Sequence, residues 1–238
     1  MTVTKTTKKI AICNANPPLE FLNQRGNLGD MSIAMFESAR DVSITGVEYS
    51  IFEVYKNEIP SVNQLMGDDY IGIHITGSTS DAHDFETEWI NNLRAMLQEL
   101  FNLEGHPPVS AICFGHQIVA SALGCNVTRN SKGYEGGIAC LKITKEALDS
   151  NLFQTLTSKG LIKELFLAES HKDIVQGVPK DFTNTLSSSK CDIQGLYKEK
   201  VALTFQSHPD FVTETCLKIN QRNYANGYIT AKELGMIK

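Results

Sequence analysis

The sequence lacks features that would point to a membrane, a nucleic acid or a metal. No apolar run is long enough to span a bilayer, and the formal charge is -5, with no stripe of Lys and Arg. The six cysteines form no C-x-x-C pair. Cys113 and His116 could act as two metal ligands, but no second pair with matching spacing follows. We therefore expect no membrane contact, no nucleic-acid partner, no metal and no cofactor.

What is present fits an ordinary globular protein. The 238 residues are 42% hydrophobic and 21% charged, which is enough for one α/β domain with a sizeable core. Residues 1–9 are polar and lack the apolar segment of a secretory signal. Together with unpaired cysteines, they lead us to expect a cytoplasmic location.

The first half of the chain alternates β-type and helical patterns. Residues 10–13, 47–55 and 70–76 are β-type runs, and the last two are interpreted as parallel core strands. Residues 26–40 carry one apolar helical stripe, and Asp84 is expected to cap a second helix that reaches Leu100. This order predicts a flavodoxin-like, doubly wound, mostly parallel sheet.

The second half has shorter patterns. Residues 132–137 are interpreted as a loop, and a final helix is expected from Val212 to about Tyr224. Two runs flank the polar residues 198–200 and predict a hairpin, hence a small antiparallel addition to the sheet. The predicted strands are residues 138–143, 161–168, 191–197 and 201–205.

Cys113 is expected at a turn from a strand to a helix. The apolar run 109–112 precedes it, and a second run, 118–123, is closed by Gly124. Free N–H groups at a helix start favour a thiolate. Ala111 and Gly115 are small, as a sharp nucleophile elbow requires. The alternative is a buried structural cysteine.

A second candidate group lies near the carboxyl end of the chain. Pro209 disfavours a helical His208, so we expect an extended segment in which His208 and Asp210 face the same way. His74 lies inside an apolar strand and is interpreted as a core histidine. His83 and His106 fall in loops without an evident partner.

These residues suffice for nucleophilic catalysis. Cys113 would attack a carbonyl, His208 would act as acid and base, and Asp210 would fix the imidazole tautomer. The backbone N–H groups of Gly77 and Phe114 are the expected oxyanion donors, because one lies on a neighbouring strand-end loop and the other follows the nucleophile.

Three segments resemble the markers of class I glutamine amidotransferase domains. They are Cys113-Phe114-Gly115-His116-Gln117, Phe205-Gln206-Ser207-His208-Pro209-Asp210 and Ile75-Thr76-Gly77-Ser78. Within that superfamily the chain is most similar to stand-alone fungal GMP-synthase-like amidotransferase proteins, a group similar to plant γ-glutamyl peptidases. The resemblance covers residues 8–226 and implies one domain there, followed by a carboxyl-terminal extension, 227–238.

The resemblance also implies substrate contacts. Gln117 matches a position that helps to hold a γ-glutamyl substrate. Glu135 and Gly136 in one segment, and Ser170 and His171 in another, fall where the family lines its pocket. The alternative for these two segments is a loop chosen for turn geometry.

Two positions depart from the family pattern. Ala111 replaces the usual glycine two residues before the nucleophile, and Asp210 replaces the usual glutamate. An aspartate is one methylene shorter, and a misplacement of about 1 Å can reduce a rate about a hundredfold.

Several functions remain open on this basis. The first is a glutaminase-type hydrolase that cleaves a γ-glutamyl amide, such as that of glutamine, through a cysteine thioester. Ammonia would then pass to a separate synthetase, because the chain has no G-x-x-x-x-G-K-[ST] phosphate loop. The others are a γ-glutamyl peptidase, a catalytically weak regulatory homologue, and a cysteine-elbow hydrolase of another acyl substrate.

Overall fold

The computed structural model describes residues 7–153 and 163–236. Twelve strands in these ranges are β1 Lys8–Asn14, β2 Val47–Glu53, β3 Tyr70–Ile75, β4 Val109–Ile112, β5 Asn126–Arg129, β6 Glu135–Ile143, β7 Glu164–His171, β8 Asp173–Gln176, β9 Thr183–Asn184, β10 Leu186–Ser187, β11 Gly195–Lys198 and β12 Ala202–Phe205. The helices are α1 Leu28–Ala39, α2 Val62–Leu65, α3 Glu88–Phe101, α4 Phe114–Ala122, α5 Lys145–Asp149, α6 Thr213–Ala225 and α7 Ala231–Met236. Short 3-10 turns cover Glu20–Arg25, Val54–Lys56 and Asn151–Phe153.

The central sheet has seven strands in the order β2-β1-β3-β4-β12-β11-β9. The first five are parallel to one another. The last two add antiparallel pairs at one edge, and the predicted hairpin is the pair β11 and β12. The sequence-based fold class, a mostly parallel sheet with a small antiparallel addition, is confirmed.

Successive side chains of a strand point to opposite faces of a sheet. Helices cover both faces of this sheet. Ile73 and Ile75 of β3 join the main core cluster with residues of α3 and α4. His74, between them, points to the other face. There its ring contacts Ser32 and Phe36 of α1.

His74 is a core histidine, as predicted. It is fully buried, with Nδ1 2.5 Å from Ser110 Oγ and Nε2 3.0 Å from Ser32 Oγ. Burial lowers the pKa of His74 to about 4, so the ring is neutral at physiological pH.

Two predictions for the first half were wrong. The run 47–55 is not a core strand, because β2 is the edge of the sheet and none of its residues is fully buried. Asp84 does not cap α3. Its Oδ1 accepts the N–H groups of Glu86 and Thr87, at 2.7 and 3.1 Å, in the turn before the helix, and Thr87 is the N-cap residue.

In the second half, sequence patterns missed part of the β structure. The predicted loop 132–137 contains the start of β6, which pairs with β7 from Glu135 to Lys142. β10 extends this pair to a three-stranded sheet, and β5 forms a separate pair with β8. The first two residues of the predicted strand 161–168 lie outside the described residues.

The carboxyl-terminal part of the described chain is helical. α6 begins one residue after Val212 and ends one residue after Tyr224, close to the prediction. α7 lies within the predicted extension and contacts α6 and β6. The helices within residues 7–153 and 163–236 are too short or too polar to cross a bilayer.

The start of α4 packs unusually close to β3. A Cβ atom on Gly115 would collide with the carbonyl oxygen of Ile75 and would lie 3.0 Å from its carbonyl carbon. This contact is between backbones, so it cannot be relieved by a side-chain rotation. Glycine at position 115 therefore lets the turn at Cys113 sit against the neighbouring strand end.

We expect Gly115→Ala to destabilise the protein by about 1–3 kcal/mol, the usual cost of an overpacked site. The matched control is Gly235→Ala in α7, where an added Cβ meets no atom within 4 Å. The control should be neutral or slightly stabilising, because alanine has the higher helix propensity. Chemical denaturation measures both, and equal stabilities would contradict the close backbone contact.

Candidate active site

Three neighbouring strand ends meet at one point of the central sheet. Cys113 directly follows β4, Gly77 follows β3, and His208 follows β12. A Cβ atom on Gly77 would lie 2.9 Å from His208 Cε1 and 3.7 Å from Cys113 Cβ. Residues far apart in sequence are therefore in contact, at the edge where ligands bind in sheets of this type.

The backbone at Cys113 has the strained geometry of a nucleophile elbow. Its φ is 51° and its ψ is -108°, a conformation that L-residues rarely adopt. Its N–H donates to the carbonyl of Phe205 at 2.8 Å, and its carbonyl accepts the N–H of Gln117 at 3.1 Å. Bonds on both sides of the turn hold the thiol at the sheet edge.

His208 and Asp210 form a pair, with 3.2 Å between Nδ1 and Asp210 Oδ1. The pairing was predicted, but its geometry was not. The chain turns after His208, since the N–H of Phe211 donates to the His208 carbonyl at 3.2 Å. The ring of Phe211 also stacks on the imidazole, with 3.8 Å between centroids and 12° between planes.

Electrostatics favour the charged form of His208. Burial opposes the charge, but the negative charges of Cys113 and Asp210, with hydrogen bonds to both, outweigh it and raise the pKa of His208 to about 10. A charged imidazole beside a cysteine is the arrangement on which cysteine nucleophiles depend.

The two predicted oxyanion donors belong to residues next to Cys113, Phe114 in sequence and Gly77 in space. Phe114 is the first residue of α4, so its N–H has no partner within the helix. At Gly77 the carbonyl accepts the hydroxyl of Thr76 at 2.9 Å. That hydroxyl oxygen also accepts the N–H of Ala15 at 2.9 Å, which ties the Gly77 loop to the end of β1.

A cavity of about 680 Å³ opens in front of Cys113. Its wall contains His208, Gln117 and side chains from the 3-10 turn Glu20–Arg25, the loop after β3, strand β7 and helix α6. The remaining lining residues are Leu19, Phe21, Leu28, Ser78, Thr79, Ser80, Asp81, Arg129, Tyr134, Ser170, His171, Lys172, Asp173, Phe211, Ile219, Arg222, Asn223 and Tyr228.

Three of the five predicted substrate-binding residues line this cavity. Gln117 is almost fully buried, and its amide donates to the Asp173 carbonyl at 3.1 Å and to Gln206 Oε1 at 3.0 Å. The carbonyl oxygen of Ser170 lies 4.0 Å from Cys113 Sγ. His171 borders the cavity, but its ring is 1% exposed.

The other two residues lie behind the cavity wall. Glu135 is buried and accepts the Gln194 amide at 3.0 Å, and its carboxylate faces His171 at 3.3 Å. Gly136 pairs with Ser170 in the β6 and β7 ladder, and an added Cβ would collide with the ring of Tyr134. Neither residue lines the cavity, so the cavity gives no support for direct contact of Glu135 or Gly136 with a ligand.

Sequence patterns missed two groups at the site. From α6, Asn223 lines the cavity and the buried Asn220 lies behind it, and both amides contact the hydroxyl of Tyr134. Polar residues spaced i and i+3 on the inner side of α6 were the available signal. Glu169, fully buried beside His171, carried no signal before its neighbours in space were known.

One cluster near the cavity has metal-ligand character. Ligand atoms of Asp81, His83 and Asp173 lie within 4.8 Å of one another. Arg129 binds Asp173 at 2.8 Å and Asp81 at 3.1 Å, so a guanidinium already supplies positive charge there. The sequence also offered Cys113 and His116 as two metal ligands. His116 is buried, with Nδ1 2.7 Å from Thr204 Oγ1.

The fold and the site define an α/β protein with a cysteine at a strand-to-helix elbow beside a buried histidine and aspartate. Residues 37–221 match the family described as Glutamine amidotransferase class-I. The chain belongs to this family, and the resemblance found in its motifs is confirmed.

Two relatives of this chain share most of its length, and a third shares less than half of it. A Saccharomyces cerevisiae protein, provisionally named a glutamine amidotransferase, is 42% identical over 216 residues, which is 90% of this chain and 82% of that protein. Gamma-glutamyl peptidase 2 of Arabidopsis thaliana is 28% identical over 92% of this chain and 82% of its own length. A glutamine-hydrolyzing GMP synthase subunit of Methanobrevibacter smithii is 33% identical over 43% of this chain and 50% of its own length.

A solved structure has the same fold. The crystal structure of a glutamine amidotransferase from Thermotoga maritima superposes with a TM-score of 0.68, covering 98% of this chain and 90% of the other. The two sequences are 19% identical, so the match concerns the fold alone.

We expect Asp210→Asn to lower the pKa of His208, because it removes a negative charge and an acceptor from Nδ1. A histidine pKa raised on folding stabilises the protein fully below its unfolded value, about 6.5, and this stabilisation is lost as the pH rises towards 10. The variant should therefore be less stable by about 2 kcal/mol at pH 6, with a smaller difference near pH 10.

Denaturant unfolding at the two pH values measures this effect. The control is Asp192→Asn, which removes an exposed carboxylate paired with Lys132 at 3.3 Å and should change stability by less than about 1 kcal/mol. A pH-independent loss in Asp210→Asn would contradict the electrostatic coupling to His208.

Proposed function

We propose that this protein hydrolyses a γ-glutamyl amide through a covalent thioester on Cys113. The observation that carries this proposal is the contact of Cys113, His208 and Gly77 at three adjacent strand ends, within a family of glutamine amidotransferases. His208 is the acid and base, and Asp210 orients its ring. Gly77 and Phe114 donate backbone N–H groups to the oxyanion.

The reaction divides into two displacements. The thiolate sulfur of Cys113 bonds to the amide carbon, and the carbonyl electrons move onto oxygen to form an oxyanion. When the oxyanion collapses, the C–N bond breaks and the His208 imidazolium gives its proton to the leaving amine. Water, deprotonated by His208, then attacks the thioester, and the C–S bond breaks to release glutamate and the thiolate.

Substrate binding is assigned to the residues on the cavity wall. Gln117 and Ser170 lie beside Cys113 and would hold the γ-glutamyl group. His171 borders the same wall, although its ring nitrogens face the Asp173 carbonyl and the Glu135 carboxylate. Glu135 and Gly136 support this wall from behind.

A free-standing amidohydrolase can release ammonia for another enzyme. Two relatives are named as parts of GMP synthases, which supports a separate synthetase as the acceptor partner of this chain.

All six cysteines are free thiols, which supports a reducing compartment such as the cytoplasm.

The test uses a glutamine-mimicking electrophile on the intact protein. We expect one adduct, at Cys113 by mass spectrometry, together with loss of glutamine or γ-glutamyl amide turnover. Cys113→Ala should form no adduct and show no turnover. Cys140→Ser, which removes an exposed thiol, should form the same adduct and keep normal turnover before labelling. Modification elsewhere, or turnover by Cys113→Ala, would refute the proposal; γ-glutamyl binding without turnover would favour a regulatory homologue.

A γ-glutamyl peptidase is the second candidate, and a feature of the cavity favours it. Beyond Cys113 the wall carries Lys172, whose Nζ lies 5.4 Å from the Tyr228 ring centroid, and Arg222, 5.1 Å from that of Phe21. Cations held over aromatic rings inside a cavity of about 680 Å³ suit a carboxylate on the leaving group. Ammonia, the leaving group from glutamine, has no carboxylate that either cation could bind.

We therefore expect Arg222→Ala to raise KM for a γ-glutamyl dipeptide about tenfold, as loss of one charged contact does. KM for glutamine should be unaffected. The matched control is Lys218→Ala, one turn earlier on α6, where the lysine pairs with Glu214 at 2.8 Å outside this cavity. Steady-state kinetics with both substrates decides, and equal effects on glutamine and dipeptide would remove the argument for a peptidase.

A further inference from the structure

His171 lies at the centre of a buried group of acceptors. Its side chain is 1% exposed, and Nδ1 is 2.9 Å from the carbonyl oxygen of Asp173. On the other side of the ring, Nε2 is 3.3 Å from Glu135 Oε2 and 3.3 Å from Glu169 Oε2. The side chain of Glu169 is fully buried, and that of Glu135 nearly so.

Acceptors at both ring nitrogens require a hydrogen on each. A neutral imidazole has one N–H and one lone pair, so it would direct a lone pair at an oxygen. An imidazolium has two N–H groups: one donates to the Asp173 carbonyl, and the other faces both carboxylates at 3.3 Å, as an ion pair rather than as an aligned hydrogen bond. It also compensates the carboxylates, which are costly to bury without a cation.

The ring is close to the nucleophile. His171 follows Ser170, whose carbonyl oxygen is 4.0 Å from Cys113 Sγ, and both His171 and Cys113 border the same cavity. A cation at His171 would attract negative charge on the Cys113 sulfur across this short span.

We propose that His171 is a positioning residue, a buried imidazolium held by Glu135 and Glu169, that stabilises the thiolate of Cys113 from beneath the cavity. The inference rests on Cys113 as the nucleophile of the proposed function. It changes the role of Glu135 and His171, which the family resemblance assigned to substrate contact, to one of electrostatic support.

Burial raises the pKa of Glu169, and its contact with His171 opposes that rise. Burial also opposes a charge on His171, but the contacts with Glu135 and Glu169 and the charge of Glu169 raise its pKa to about 10. Burial and the charge on His171 lower the pKa of His116 to about 3, so that ring stays neutral. Burial raises the pKa of Cys191 to about 12, so it stays a thiol beside the carboxylates.

A second cation has a distinct use in the reaction. His208 must give up its proton to the leaving amine, so its charge is lost during the first displacement. Both nitrogens of His171 are directed at protein oxygens, so it keeps its charge. It can therefore stabilise the thiolate again when sulfur leaves from the thioester in the second displacement.

The first test measures the protonation of His171 directly in the full chain. Ring ¹⁵N chemical shifts of histidine-labelled protein, assigned by loss of one signal in His171→Gln, should report two protonated nitrogens at pH 8.5. In Cys113→Ala, His208 should lose its charge at a lower pH, whereas His171 should keep its charge because carboxylates hold it. A neutral His171 at pH 8.5, for example beside a protonated Glu169, would overturn the proposal.

The second test measures the thiolate. The rate of alkylation by iodoacetamide, followed at Cys113 by mass spectrometry, should fall at least about tenfold at pH 7 in His171→Gln, because one nearby opposite charge is lost. The pH of half-maximal rate should also rise. His106→Gln, which replaces a buried histidine in a remote loop, should leave both unchanged.

An unchanged alkylation profile in folded His171→Gln would overturn the inference. If His171→Gln does not fold, the ¹⁵N measurement on the unaltered chain still decides. Neither measurement requires turnover. Absence of γ-glutamyl hydrolysis would therefore refute the proposed function without affecting this result, and normal hydrolysis with a neutral His171 would refute the inference alone.

Discussion

The close approach of the Cys113 elbow to the end of β3 is the constraint on which the site depends. Gly115 has no side chain to hold its helix away from the Ile75 carbonyl. The same proximity brings Gly77 within contact of the His208 ring and of Cys113. A parallel sheet makes this possible, because strands that run the same way deliver their carboxyl ends to one edge. The bonds of Cys113 and Gln117 across the elbow hold the strained conformation in place.

The charges of the site are arranged in two layers. The first is His208, on the cavity wall, with Asp210, and the second is His171, on the same wall, with Glu135 and Glu169 behind it. Each layer joins an imidazole to carboxylate within a buried environment, where an unpaired charge would be very costly. Phe211, stacked on the His208 ring, limits the orientations that Asp210 would otherwise control alone.

Local patterns predicted the first half of the fold well, since strands and helices there have strong periodicity and short connections. They failed where neighbours in space decide. The run 47–55 has the β-branched and aromatic content of a core strand, yet β2 has one neighbour strand. Residues 135–137 contain two glycines and resemble a loop, but pairing with β7 makes them a strand. Asp84 has the residue type of a helix cap, but the turn before α3 takes up its oxygens.

The sequence by itself determined the α/β class, the order of the main strands and helices along the chain, the family and the identity of the residues at three strand ends. It could do so because periodicity and turn chemistry depend on residues that are close in sequence. Each of the three marker segments is likewise recognised from residues within one short stretch. Only the tertiary structure decided that the Glu135 carboxylate faces His171, that Glu169 lies beside the same ring, that Asn223 lines the cavity, and that Phe211 stacks on His208. These contacts join residues far apart in the chain, and their energy comes from burial and charge pairing, which no local pattern records.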